Sequence, residues 1–171
     1  MSATEELSEH SEHAKEPFDK KVAVTMAIIA AMLAVDGVLA HLLTTEELLL
    51  QQKASDQWSY YQAKSIRRYE SEVATDLFKA MKSEDAAKYE KNIEKYRKDS
   101  EEISEEAKKL EAESHAKGAQ AQRLDFGEIF LEIGIVFASL AILTKRNLVW
   151  LAAIVSALAG VAIALSTIGV H

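Results

Sequence analysis

Cysteine is absent from all 171 residues. That excludes disulfides, thiolate metal sites, iron–sulfur clusters and a cysteine nucleophile. Proline occurs once and glycine six times, and so few turn formers argue against a many-stranded β fold. Positive charge is in the minority. Lys and Arg number 20 against 27 Asp and Glu, a formal net charge of −7. With no basic stripe for phosphates, no nucleic acid is expected as a partner. The chain also lacks a nucleophile–base arrangement, a Gly-rich phosphate loop and a zinc-binding motif. No enzymatic activity and no cofactor are therefore expected.

What the chain has is strong segregation of apolar from charged residues. Residues 1–16 are polar and read as a flexible N-terminal tail. No small-residue cleavage site follows the apolar run after them, so this is not the pattern of a secretory signal peptide. His10 and His13 in the tail stand three apart, but nothing orients them as metal ligands.

Three apolar runs follow. Val22–Leu43 holds 22 residues, about 33 Å as helix, enough to span hydrocarbon. With its flank it defines a first transmembrane helix over 17–43. Phe126–Thr144 gives a second, over 126–144, and Leu148–Val170 a third, over 148–170. Only Lys145-Arg146-Asn147 separates the last two, so they form a tight antiparallel pair. That turn is basic, and Lys15, Lys20 and Lys21 flank the first span. Both signals put the N-terminus and the short turn on the cytoplasmic side and the middle segment on the opposite, periplasmic side. Trp150 then falls at the cytoplasmic interface.

The middle segment, 44–125, holds 15 Lys+Arg, 18 Asp+Glu, no Pro and a single Gly, Gly118. Tyr89, Ile93, Tyr96, Ser100, Ile103, Ala107, Leu110, Ser114, Lys117, Ala121 and Leu124 follow alternating steps of four and three, the seam of a coiled coil. The first half offers Leu48, Trp58, Ile66, Tyr69, Val73 and Leu77. The pattern breaks near Ser83-Glu84-Asp85, where Ser83 can cap a helix start. The segment therefore reads as a helical hairpin with arms of about 44–81 and 84–125, each roughly 55–60 Å long. Its register is expected to set Tyr69 against Tyr96, Val73 against Ile93, Leu77 against Tyr89 and Trp58 against Ala107. Nothing interrupts the pattern between Leu43 and Leu48, so the first span and first arm can form one continuous helix.

The apolar runs contain ionisable groups. Asp36, His41, Glu128 and Glu132 form a candidate intramembrane polar cluster. An Asp at mid-span costs about 2.5–3.5 kcal/mol on insertion scales, so it needs a compensating role. Counted from the span ends, Asp36 matches Glu132 in depth and His41 matches Glu128. Three readings stay open. Glu128 and His41 sit at the interface while Asp36 and Glu132 are protonated and hydrogen-bonded. The acids form part of a proton or cation path. Or the four residues bind a divalent metal, against which Asp36 and His41 lie about 140° apart around a helix. No metal site is assigned. His115 and His171 receive no role.

Small residues recur every four positions on the third span, at Ala152, Ser156, Gly160 and Ala164, which lets helix backbones approach closely. Ala27, Ala30, Ala34 and Gly37 form a similar stripe on the first, at steps of three and four. Such stripes mean helix packing, within a chain or between copies.

The most distinctive stretch is Ala54-Ser-Asp-Gln-Trp-Ser-Tyr-Tyr-Gln-Ala-Lys-Ser65. Trp58, Tyr61, Gln62 and Ser65 share one helical face; Asp56, Tyr60 and Lys64 follow at four-residue steps on another. One face packs on the second arm while the other forms a polar ladder, or the second face docks a partner. Asp56, Trp58, Tyr60, Tyr61 and Lys64 are the candidate interface residues. With its layout of spans, this stretch resembles a bacterial membrane protein family catalogued as a domain of unknown function (number 4337). The resemblance implies a bacterial cell-membrane location and brings no activity.

The sequence thus points to an all-α membrane protein: three transmembrane helices with a long extramembrane antiparallel helical (coiled-coil) hairpin. Its partners are the lipid bilayer and either further copies, as a homo-oligomer, or other membrane protein subunits.

Overall fold

A computed structural model describes residues 17–167. The tail 1–16 with Lys15, His10 and His13, residues 168–170 of the third apolar run, and His171 lie outside the described residues. The described chain is all helix: α1 runs Pro17–Ala80, α2 runs Ala86–Thr144 and α3 runs Asn147–Leu165.

α1 opens on the chain's single proline, whose fixed φ suits a first helical position and whose missing N–H would be unpaired there anyway. Asp19 in its first turn and Lys79 in its last complement the helix dipole. No break occurs between Leu43 and Leu48; the apolar run and the charged arm are one helix. α2 likewise passes without interruption through 124–126.

The turn after α1 is built from backbone. Ser83 N–H donates to Phe78 O and Lys82 N–H to Lys79 O, while Lys82 takes a left-handed φ of 53°. This is a Schellman ending, with lysine where glycine would sit without strain. The Ser83 hydroxyl then accepts the Asp85 N–H ahead of α2. Lys145, after α2, has the same φ, and its N–H donates to Ala141 O.

The described chain divides into two compact units: residues up to Thr45 together with those from Lys117 onward, and Glu46–Ala116. The first unit packs three helical segments. Val22, Met26, Ala138, Ala141 and Ala153 form one core cluster; Ile29, Leu131 and Ala157 form another. Phe18, Ile135, Val149 and Trp150 pack against the first. Lys145 pairs with Asp19 and the Trp150 Nε1–H donates to Thr25 Oγ1 at 3.1 Å. Both contacts bring the start of α1 to the turn between α2 and α3. Outside these cores the segments are bare: Val24, Val35, Val38, Val136, Leu143, Leu148 and Leu158 are among many large apolar side chains left exposed. All three helices are long and apolar enough to cross a membrane.

The second unit pairs the rest of α1 with α2 in antiparallel order. Phe78 stacks on Tyr89 at 5.3 Å, Lys79 pairs with Glu90, Lys64 with Asp99, and Trp58 with Glu111. On α2, the four-and-three series from Tyr89 through Ile103 and Ala107 to Ser114 is buried or half-buried at every position.

On α1 the seam differs from the expected one. Ile66, Tyr69, Val73 and Leu77 face outward, each more than half exposed. The inward series is Ala54, Trp58, Tyr61, Ser65, Arg68, Ser71 and Thr75. Small hydroxyl side chains can occupy it because they satisfy themselves locally. Ser71 donates to Arg67 O, Thr75 to Ser71 O and Ser100 to Tyr96 O. The cross-helix links at Trp58, Lys64 and Lys79 fix the rotation of α1 and turn its apolar stripe away.

Candidate functional site

Two places carry the sequence-derived candidates. The first lies among the apolar helices. Asp36 is buried, with 5% exposed, and its Oδ2 has no hydrogen-bond partner among the described residues. Its neighbour Gly37 faces Glu128: a Cβ added there would stand 3.7 Å from Glu128 Oε1. Asp36, Asp125 and Glu132 all lie within electrostatic range of Glu128. His41 and Glu132 are exposed.

Asp36 is therefore level with Glu128, about one turn from the tier expected by counting inward from the span ends. Matching Leu43 to Phe126 in depth was the source of the offset; α1 and α2 actually meet with Gly37 opposite Glu128. Asp125 belongs to the neighbourhood and was missed. Its position three residues before Glu128, on the same helix face, was the available signal. Among the described residues no three His, Cys, Asp or Glu side chains converge as metal ligands.

The second place is the signature stretch. Trp58 meets the Tyr61 ring edge-on at 5.5 Å, and its indole N–H donates to Glu111 Oε1 at 2.8 Å. The Lys64 ammonium donates to Asp99 Oδ2 at 2.6 Å and sits over the rings of Tyr60 and Tyr96 at 5.2 and 5.6 Å. The Asp99 hydrogen bond, aided by Tyr60, raises the Lys64 pKa, and the same bond lowers that of Asp99. So Trp58, Tyr61 and Lys64 join the helical pair. Asp56 instead accepts from Gln52 on its own helix, and Tyr60 is half exposed.

Beside Trp58 lies a cleft of about 300 Å³ lined by Gln51, Ala54, Ser55, Trp58, Glu111, Ser114 and His115. Ser114 donates to Glu47 O and so holds the cleft's two helices together. Sequence reading missed Glu111, Asp99 and His115 here. Their signal was register: each lies within a turn of the position an apex near residue 83 puts across from Trp58, Lys64 and Gln51.

The small-residue stripe packs within the chain. The buried face of α3 is Ala153, Ala157 and Gly160, with Ala152, Ser156 and Ala164 half-buried beside it. Ser156 donates to Phe130 O at 2.7 Å. A Cβ at Gly160 would come 2.7 Å from Gly127 O, and one at Gly134 would come 3.2 Å from Ala153 O. Gly127 and Gly134, seven residues apart, are the matching notch on α2.

An all-helical chain with this layout and signature has a family. Residues 18–169 match the family model described as Domain of unknown function (DUF4337), and the chain belongs to that family. No curated protein and no solved structure matches it.

Proposed function

We propose that this protein is a non-enzymatic integral membrane scaffold, or an accessory subunit of a larger membrane complex, in the bacterial inner membrane. The observation that carries the reading is the bare apolar surface of the three long helices, from Val24 to Leu158. A water-soluble protein does not leave so much contiguous apolar area uncovered; lipid covers it at no cost.

One end of the first unit supports a topology. The Asp19–Lys145 pair gathers Lys20, Lys21, Lys145 and Arg146 at one end. That supports a cytoplasmic N-terminus and turn, with the charged helical pair as an antiparallel coiled-coil hairpin on the periplasmic side. The hairpin self-associates or binds a partner. Its outward groups, Asp56 and Tyr60, are aromatic and polar material suited to an interface.

The test replaces Asp56 and Tyr60 with Ala in one variant and Trp58 and Tyr60 in another. Loss of co-purifying protein or of the oligomer in both supports docking through the hairpin. Unchanged assembly in both counts against it. The first variant leaves the Trp58–Glu111 link intact, so it separates docking from folding.

A second reading is favoured by the unpartnered Asp36 Oδ2: a proton or cation pathway through Asp36, Glu128 and Glu132. Asp36→Asn together with Glu132→Gln should abolish flux in liposomes if that reading holds. Full flux, or none in the parent protein, removes it.

A further inference from the structure

We propose that the outward apolar stripe of Ile66, Tyr69, Val73 and Leu77 on α1, with Met81 just past its end, is the docking face for a second copy of this chain, packed in parallel. The inference rests on the membrane-scaffold reading for the orientation of the copies.

The stripe is set apart from the seam of the helical pair by its period. Ile66, Tyr69, Val73 and Leu77 advance three, four and four residues, an eleven-residue step. That period of about 3.67 follows a nearly straight helix, whereas the 3.5-residue seam beneath it winds. All five residues are 57–69% exposed, while Ser71 and Thr75 of the same helix are buried. A helix that hides its hydroxyls and shows its Ile, Val and Leu is arranged for an apolar neighbour on that side. The Arg68 guanidinium lies over the Tyr69 ring at 4.9 Å, which holds that ring in place within the stripe.

Area and topology choose the occupant. With each side chain presenting on the order of 100 Å², the stripe exposes about 500 Å² of mostly apolar surface, at the upper end for a monomer. Two such faces together bury about 1,000 Å², the lower bound for a specific interface. A parallel, in-register pairing sets Val73 on Val73 and Ile66 on Ile66. It places Glu70 of one copy across from the neutral Ser65 of the other. Copies inserted in one bilayer by one topology point the same way, which is the parallel case.

The absence of cysteine makes the test clean. Single Ile66→Cys, Val73→Cys and Leu77→Cys variants are oxidised in native membranes, with Lys95→Cys, exposed on α2, as control. The expected result is a disulfide-linked species of twice the 18.9 kDa chain for each stripe variant alone and not for the control. In addition, Val73→Asp should dissociate the detergent-solubilised dimer while helical content stays unchanged, because Val73 is outside the cores. Crosslinking of Ile66→Cys only to Leu77→Cys would overturn the parallel arrangement. Crosslinking of Val73→Cys to a different protein, or equal crosslinking of the control, would overturn the second copy as occupant. A multimeric particle with no Val73 crosslink would overturn this face and leave the scaffold reading standing. A monomeric particle with no partner would overturn both.

Discussion

Lys145 donates from its ammonium to both carboxylate oxygens of Asp19, 126 positions earlier in the chain. Asp19 is buried, so the pair ties the first turn of α1 to the bend between α2 and α3. One end of the first unit thus carries Lys20, Lys21, Lys145 and Arg146. The proposed topology puts that end in the cytoplasm, on the positive-inside rule. Arg146→Cys should therefore resist a membrane-impermeant maleimide in intact spheroplasts, and Ser83→Cys should be labelled. The reverse pattern would invert the topology.

Two glycines, Gly160 and Gly37, meet very different neighbours. A methyl group at Gly160 meets the Gly127 carbonyl at 2.7 Å, and backbone cannot move aside cheaply; at Gly37 the nearest atom is the end of Glu128 at 3.7 Å. Gly160→Ala should lower stability by about 1–3 kcal/mol, the usual cost of overpacking. Gly37→Ala should be neutral or slightly stabilising. Thermal or SDS-titrated unfolding in mild detergent, followed by circular dichroism, reads both.

The Lys64–Asp99 link sets a pH window. Asp99 has a lowered pKa from its hydrogen bond with Lys64. Its contribution is present above the unfolded value of about 3.9 and is lost as pH falls through the lower folded value. Lys64 has a raised pKa, chiefly from Asp99. Its contribution is present below about 10.4 and is lost as pH rises through the higher folded value. Asp99→Asn should thus melt slightly below the parent by the same margin from about pH 5 to 9. The margin should close in acid, as pH falls below the ordinary carboxylate range and through the lowered Asp99 value. A margin that changes near neutrality would contradict this assignment.

Lys82 holds a φ of 53° that costs a side-chain-bearing residue about 1 kcal/mol. Its N–H, not its side chain, makes the turn's bond to Lys79 O. Lys82→Gly should raise the unfolding midpoint of the helical pair in the same melts.

Much of this was legible in the sequence, and the misses have physical causes. The second arm's seam was readable because Tyr89, Ile93, Tyr96, Ile103 and Leu110 carry the apolar signal themselves. The first arm's was not. There the apolar signal of Ile66, Val73 and Leu77 marks an outward stripe, while the inward Ser71 and Thr75 are silent in any hydropathy pattern. Their burial depends on bonds to their own helix. Asp36 stood out as a carboxylate in an apolar run, but its level opposite Glu128 depends on helix register, which counting from span ends misjudged by a turn. The glycine notch at Gly127 and Gly134 was hidden because only one side of the contact, Gly160, was read as a stripe.

Purification of the tagged protein from its native membrane in mild detergent, with the particle mass and every co-purifying chain determined, tests the scaffold reading most directly. The expected particle is a defined multiple of the 18.9 kDa chain or a stoichiometric complex with other membrane proteins. A single chain that extracts without detergent, or a lone monomer with no partner, would refute it.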